Sequence, residues 1–177
     1  MSISHSNGAG QDSIPAPRAR KSPTAAELAT WRDFIETTEA LRAAVASRMQ
    51  TTSGLSMGDY GVLLALSEAP ATCLRSSALA ARIGWERSRL SHHLSRMQQR
   101  GLIVRRGTAE DSRGIEVELT RDGADAFRRA SAPHLRLIRE LFIDAYDPAQ
   151  LAQVAELTAA LRLHLDALGC APAEIAD

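Results

Sequence analysis

Apolar residues recur at three- and four-residue steps from Trp31 through Phe34, Ile35, Leu41, Val45 and Met49. That period predicts one long helix with an apolar face. Ser22 as cap and Pro23 at the first helical position mark its start, and Gly54 marks its stop. A second helix is predicted from its cap Ser56, with Tyr60, Leu63, Leu64 and Leu66 inside, ending before Pro70. Ser76 is expected to cap a short third helix that stops at Gly84. A fourth runs from near Arg87 to about Arg100 and is closed by Gly101.

The period then changes. "LIVRR" and "IEVEL" predict two strands around a polar loop; in the second, Ile115, Val117 and Leu119 alternate with Glu116 and Glu118. Thr120 caps a fifth helix, with Ala126, Phe127, Leu135, Ile138, Leu141 and Phe142 on its apolar side. Asp147-Pro148 opens a sixth, carrying Leu151, Val154, Leu157, Leu161 and Leu165. Residues 1 to 21 lack periodicity and are rich in Ser, Gly, Pro and Asn, so disorder is expected there, and fraying over 169–177.

Two helices joined by a tight Gly turn and followed by a β-hairpin describe a winged helix-turn-helix. Leu79, Ala80, Ile83, Gly84, Trp85 and Leu90 put apolar or small residues where the two helices must touch. The expected fold is therefore mainly α with a small β-hairpin wing.

Charge sharpens this picture. The chain is neutral, with 21 basic and 21 acidic residues, but the balance is uneven. Between Gly84 and Gly114 seven arginines stand against Glu86, Glu110 and Asp111, a net of +4. From Leu141 to the end, six acids stand against Arg162, a net of −5. A basic middle and an acidic tail point to a polyanion partner for the middle alone. In projection, Leu90, Leu94 and Met97 share one face of the fourth helix. Ser88, His92, Ser95, Arg96 and Gln99 lie opposite, flanked by Arg87, Arg89 and Ser91. Arginine can pair with guanine through two parallel hydrogen bonds, while Ser and His serve bases or phosphates. This face suits double-stranded DNA.

Other chemistries find little support. Cys73 and Cys170 cannot make a disulfide framework, which fits a reducing cytosol. No signal-peptide core is present and no apolar run reaches the roughly 18 residues that span a bilayer, so a cytoplasmic protein without a membrane partner is expected. The absence of a Gly-rich phosphate loop, nucleophile elbow or zinc-protease motif argues against an enzyme. The five histidines lack metal-ligand spacing. His92 and His93 point about 100° apart on a helix, and only His134 and His164 are placed to meet across the last two helices. No cofactor is expected.

"SRLSHHLSRMQQRGLI", Arg105, the Asp-x-Arg of Asp111 and Arg113, and "LTRDG" ending at Gly123 together resemble the MarR (multiple antibiotic resistance regulator) family. The resemblance runs from about Trp31 to Leu168. It implies a homodimer, with residues 22–54 an N-terminal dimerisation helix, 55–120 the winged helix-turn-helix and 121–168 C-terminal dimerisation helices. It also implies a recognition helix in the major groove and a wing tip in the minor groove. Carried onto this chain, DNA contacts fall to Arg87, Ser88, Arg89, Ser91, His92, Ser95 and Arg96 on the helix and to Arg105, Asp111 and Arg113 in the wing. Arg113 is then the minor-groove arginine, held by Asp111. Two departures stand out: Ser112 separates Asp111 from Arg113 where a second arginine is usual, and His93 occupies a position commonly aliphatic.

Such regulators usually bind small, often anionic and aromatic effectors in a crevice between dimerisation and DNA-binding parts. Trp31, Asp59 and Tyr60 are candidates to line it here, with Arg75 as counter-charge. Plainer roles stay open: a core or interface aromatic for Trp31, a helix N-terminal charge for Asp59, a core ring for Tyr60. The expectation is a homodimeric repressor on a pseudo-palindromic operator, released by a small ligand. A winged-helix protein-interaction module and a redox- or metal-responsive switch on the same scaffold remain the alternatives.

Overall fold

The computed structural model describes residues 22–107 and 114–170. The predicted disordered segment 1–21 and residues 171–177 of the predicted fraying tail lie outside the described residues. The chain divides into two compact units, Met1–Thr37 and Thr38–Asp177.

Helix α1, Ala25–Ser53, begins in the first unit. Its cap is Thr24 rather than Ser22. Thr24 Oγ1 accepts from Glu27 N at 3.2 Å, and the Glu27 carboxylate accepts from Thr24 N at 2.6 Å. Thr-x-x-Glu supplies both halves of a capping box, whereas Ser22 has Ala25 at the matching position. Pro23 therefore precedes the helix instead of opening it.

In the second unit α1 continues to Ser53, with Met49 buried, and Gly54 ends it at φ +69°. Ser56 caps α2, Met57–Ser67, in a reciprocal box with Asp59. Tyr60, Leu63 and Leu66 are buried as expected, while Leu64 is exposed. A short 3₁₀ turn, Pro70–Thr72, then leads into a strand absent from the predicted order, β1, Cys73–Arg75. β1 runs straight into α3, Ser76–Arg82, so Ser76 is its first helical residue and not its cap.

Two glycine turns of one design bracket the next helix, α4, Arg87–Gln99. Before it, Gly84 (φ +64°) donates to Ala81 O and Trp85 N donates to Ala80 O. After it, Gly101 (φ +71°) donates to Gln98 O and Leu102 N donates to Met97 O. Both are Schellman closures, and the left-handed backbone at their centre is what glycine supplies.

β2, Ile103–Gly107, and β3, Ile115–Leu119, form the hairpin, and β1 adds to the other edge of β3 to give an antiparallel sheet ordered β1-β3-β2. Val117 is the buried centre of β3. Leu63, Leu66, Leu79, Leu90, Leu94, Met97 and Ile103 join it and Met49 in one core.

α5, Arg121–Leu141, is capped by Thr120 as predicted, but its buried row is Gly123, Ala130, His134 and Leu137. Leu135, expected inside, is 65% exposed. Asp147 and Gln150 form a capping box for α6, Pro148–Ala167, a helix with no buried residue.

The junction of wing and α5 explains its local sequence. Thr120 Oγ1 donates to Gly101 O at 2.7 Å and accepts from Gly123 N at 2.9 Å. A Cβ on Gly123 would lie 2.0 Å from Leu102 O, a backbone atom that cannot step aside. Thr120→Ala is expected to cost about 0.5–2 kcal/mol of stability, the usual loss of an N-cap. Gly123→Ala should cost more, because it forces apart two backbone segments. Urea unfolding of both variants tests the ranking, and a neutral Gly123→Ala would refute the packing account.

Candidate nucleic-acid interface

α4 has two unlike sides. Leu90, His93, Leu94 and Met97 are buried, and Arg87, Ser88, Arg89, Ser91, His92 and Arg96 are exposed. Ser95 is half-buried and its hydroxyl donates to Ser91 O, so it is turned partly onto its own helix. The first turn of α4 has no side-chain cap, since Glu86 at that position makes no capping hydrogen bond. Amides at a helix start carry partial positive charge, and here Arg87 and Arg89 add to it.

From the wing, Arg105 on β2 donates from Nε to Gln98 Oε1 at 2.7 Å, which ties the base of the hairpin to the end of α4. Arg106 pairs with Glu118 across the strands at 3.2 Å. The remaining predicted wing contacts, Asp111 and Arg113, lie outside the described residues.

Beneath the exposed face is a polar network that the sequence did not announce. His93, expected where an aliphatic residue is common, is 8% exposed. Its Nδ1 lies 3.2 Å from an Arg96 guanidinium nitrogen. Arginine has only donors, so Nδ1 accepts and the ring carries its proton on Nε2. Nε2 sits 3.0 Å from Asp59 Oδ1, an ion-pair distance, although the approach is off the line of a hydrogen bond. Asp59 Oδ2 accepts from Arg100 Nη1 at 2.7 Å and from Ser56 N at 2.9 Å. Arg100 also donates to Gly54 O at 2.9 Å.

Burial alone would raise the Asp59 carboxyl, but Arg100 and the Ser56 amide and hydroxyl outweigh it and hold it below the usual carboxylate range. Burial pushes His93 below the ordinary histidine range; Asp59 opposes the shift and Arg96 adds to it. Next to His93, the Trp85 ring stands edge-on to the imidazole at 5.1 Å, and the Arg89 guanidinium lies 4.3 Å above the indole centre. Ser56, Gly58, Trp85, Arg89, His93 and Arg96 line a cleft of about 220 Å³.

Asp59, Tyr60 and Arg75, expected with Trp31 to line an effector crevice, occupy different settings in the second unit. Asp59 is 3% exposed with its carboxylate engaged, and Tyr60 packs against Phe127 and His134 in the core. Arg75 is exposed on β1, opposite Glu116. Trp31 belongs to the first unit, where it is 62% exposed. Burial, and then Glu116 and Glu118, raise the Cys73 thiol, which opposes the thiolate that redox chemistry needs. His134 is buried against Tyr60 while His164 is exposed, and among the described residues no three His, Cys, Asp or Glu side chains cluster for a metal. No helix among them is long and apolar enough to cross a membrane.

Burial also lowers the His134 pKa, which gives the fold a pH dependence of definite sign. The unfolded chain binds protons at these rings near pH 6.5, about the free histidine value, where the folded chain resists them. Stability should therefore fall as pH drops below about 6.5, while Asp59 stays ionised. Urea midpoints measured from about pH 7.5 down to 5.5 should show this slope, and His134→Phe should flatten it. An unchanged slope would show that His134 is not among its sources.

Comparison with known proteins agrees with this geometry. The MarR family model matches residues 53–114, from the end of α1 to the wing. The MarR family transcriptional regulator AbsC of Streptomyces coelicolor is 30% identical, with 84% of this chain and 99% of that one covered and a TM-score of 0.74. A second MarR family regulator of S. coelicolor, solved in complex with DNA, is also 30% identical, covering 82% of this chain and 91% of its own, with a TM-score of 0.76. A protein of Thauera aromatica, named for transcriptional regulation of the hcr operon, is 28% identical over 110 residues. That match spans 62% of this chain and 58% of the relative, a little over half its length. With identity at this level along nearly the whole of two solved regulators, and the same fold, the chain belongs to the MarR family of transcriptional regulators.

Proposed function

We propose that the protein binds double-stranded DNA sequence-specifically as a homodimeric repressor. The observation that carries this reading is the exposed Arg-Ser-His face of α4, set on a rigid buried side and followed at once by a wing. The solved relative in complex with DNA, at 30% identity, supports it. Arg87, Ser88, Arg89, Ser91, His92, Ser95 and Arg96 serve the major groove, and Arg105, Asp111 and Arg113 the wing contacts. Arginine suits a narrow, electronegative minor groove, the role that the family resemblance gives Arg113.

Support for the dimer comes from α6. Leu157 and Leu161 recur at helical spacing on a helix with no buried residue, and both are exposed, as is Leu168 just beyond its end. Each leucine fully buried between two copies contributes about 1.5–3 kcal/mol. A two-fold dimer then calls for a two-fold operator.

We infer an effector site at the cleft beside Trp85; Trp31, Asp59, Tyr60 and Arg75 are the residues the family resemblance suggests for one. Arg89 and Arg96 supply two guanidinium groups beside an indole, which suits a small aromatic anion. Such a ligand would occupy arginines that also face DNA, so release follows from competition for the same charges.

Fluorescence anisotropy against the protein's own upstream DNA, with random-duplex competitor, tests the function. Binding should resist competitor and weaken with salt at a slope near −0.9 per phosphate neutralised. Arg113→Ala should lower affinity, and no change would refute the wing assignment. In sedimentation the protein should remain dimeric at micromolar concentration, with Leu157→Glu and Leu161→Glu together giving monomers. A stable wild-type monomer would refute the dimer.

A further inference from the structure

We propose that Trp85 is a positioning residue for Arg89, presetting the guanidinium that α4 presents to DNA. The inference rests on the DNA-binding reading above and gives Trp85 a part in DNA binding, separate from lining the cleft.

Trp85 is fixed before it touches Arg89. Its amide is held by Ala80 O at 2.9 Å as the last link of the turn between α3 and α4. His93 meets the indole edge-on at 5.1 Å with an interplanar angle of 84°. Gly58 at the start of α2 leaves room for the ring: a Cβ there would lie 2.7 Å from Trp85 Cη2 and 3.1 Å from His93 Cε1. His93 in turn stands against Asp59, which Arg100 and the α2 cap hold in place.

Arg89 lies over this fixed surface, 4.3 Å from its centre, and among the described residues no carboxylate pairs with it. A free arginine must give up rotamer freedom when it docks. Stacking removes part of that freedom beforehand. With its central carbon 4.3 Å from the ring centre, the five N–H donors of Arg89 cannot all point at one ring, so some stay available for a base or phosphate. Lysine, a point charge without a planar fork, could not do both.

The test combines two measurements on the full chain. The first needs no DNA: in NMR spectra the Arg89 side-chain protons should be shifted upfield by the indole ring current, and Trp85→Leu should abolish that shift. Absence of the shift in the wild type overturns the proposal. The second is a double-mutant cycle on a duplex selected by the protein from random sequence. Trp85→Leu should weaken binding about 3- to 10-fold when Arg89 is present and leave it nearly unchanged in the Arg89→Ala background. The salt slope should stay the same, because no charge is removed. Trp85→Phe, which keeps a ring face and guards against misfolding, should recover most of the loss.

Equal losses in both backgrounds would make Trp85 a packing residue and overturn the positioning role, even with the ring-current shift intact. Failure of the wild type to bind any duplex would instead overturn the DNA reading, and this role with it.

Discussion

The placement of α4 depends on one buried carboxylate. Asp59 is almost wholly removed from water, where an unpaired charge would be prohibitive, so its oxygens must be satisfied by the protein. They are met by the Ser56 amide at the start of α2 and by Arg100 at the end of α4, with His93 in the middle of α4 at ion-pair distance. His93 and Arg100 are seven residues apart, two helical turns along one side of α4. Arg100 reaches on to the carbonyl of Gly54, where α1 ends. One side chain thus caps one helix, gathers the end of another and grips a third at two points. Neighbouring hydrophobic contacts set how deep α4 lies, but a ring of leucines permits sliding that a directional carboxylate does not.

What could be read from the sequence was what its local chemistry decides. Ser56, Thr120 and Asp147 cap helices because a short oxygen-bearing side chain acts on amides two or three residues away. Gly84 and Gly101 end helices because few other residues take a left-handed backbone cheaply. The errors at helix starts have equally local causes, since Thr24 has Glu27 three residues on and Ser22 has no such partner. Features that depend on distant partners were hidden. β1 is three residues long, too short for alternation to show, and exists because β3 offers a free edge. His93 is buried because a residue 34 positions earlier compensates its polarity. In the candidate site, the exposed row of α4 was legible and the network beneath it was not. Two signals lay in plain sight: the Ser-x-x-Asp of the α2 cap, and the four-residue steps from Trp85 to Arg89 to His93.

The neutrality of the chain also has a structural meaning. In the wing, Glu118 pairs with Arg106, while Glu116 stands across from Arg106 on β2 and from Arg75 on β1. The alternating glutamates of β3 therefore offset Arg106 and Arg75 in the sheet, while Arg87, Arg89 and Arg96 on α4 have no carboxylate partner among the described residues. Using arginine for all basic residues but Lys21 fits that division of labour. A guanidinium can rest against a ring, as Arg89 does, join a carboxylate to a carbonyl, as Arg100 does, or reach a side-chain amide, as Arg105 does.

The paired glycine closures on either side of α4 fix its length as well as its position. Adding or removing a single residue between them would rotate everything beyond that point by about 100°. The exposed row would then be split between surface and core, and Asp59 would face the wrong side chains. Such a helix can acquire a new binding preference only by exchanging residues on its outer face, one at a time and at constant length. In descendants of this chain, reading surfaces should diverge by substitution while the spacing from Gly84 to Gly101 stays frozen.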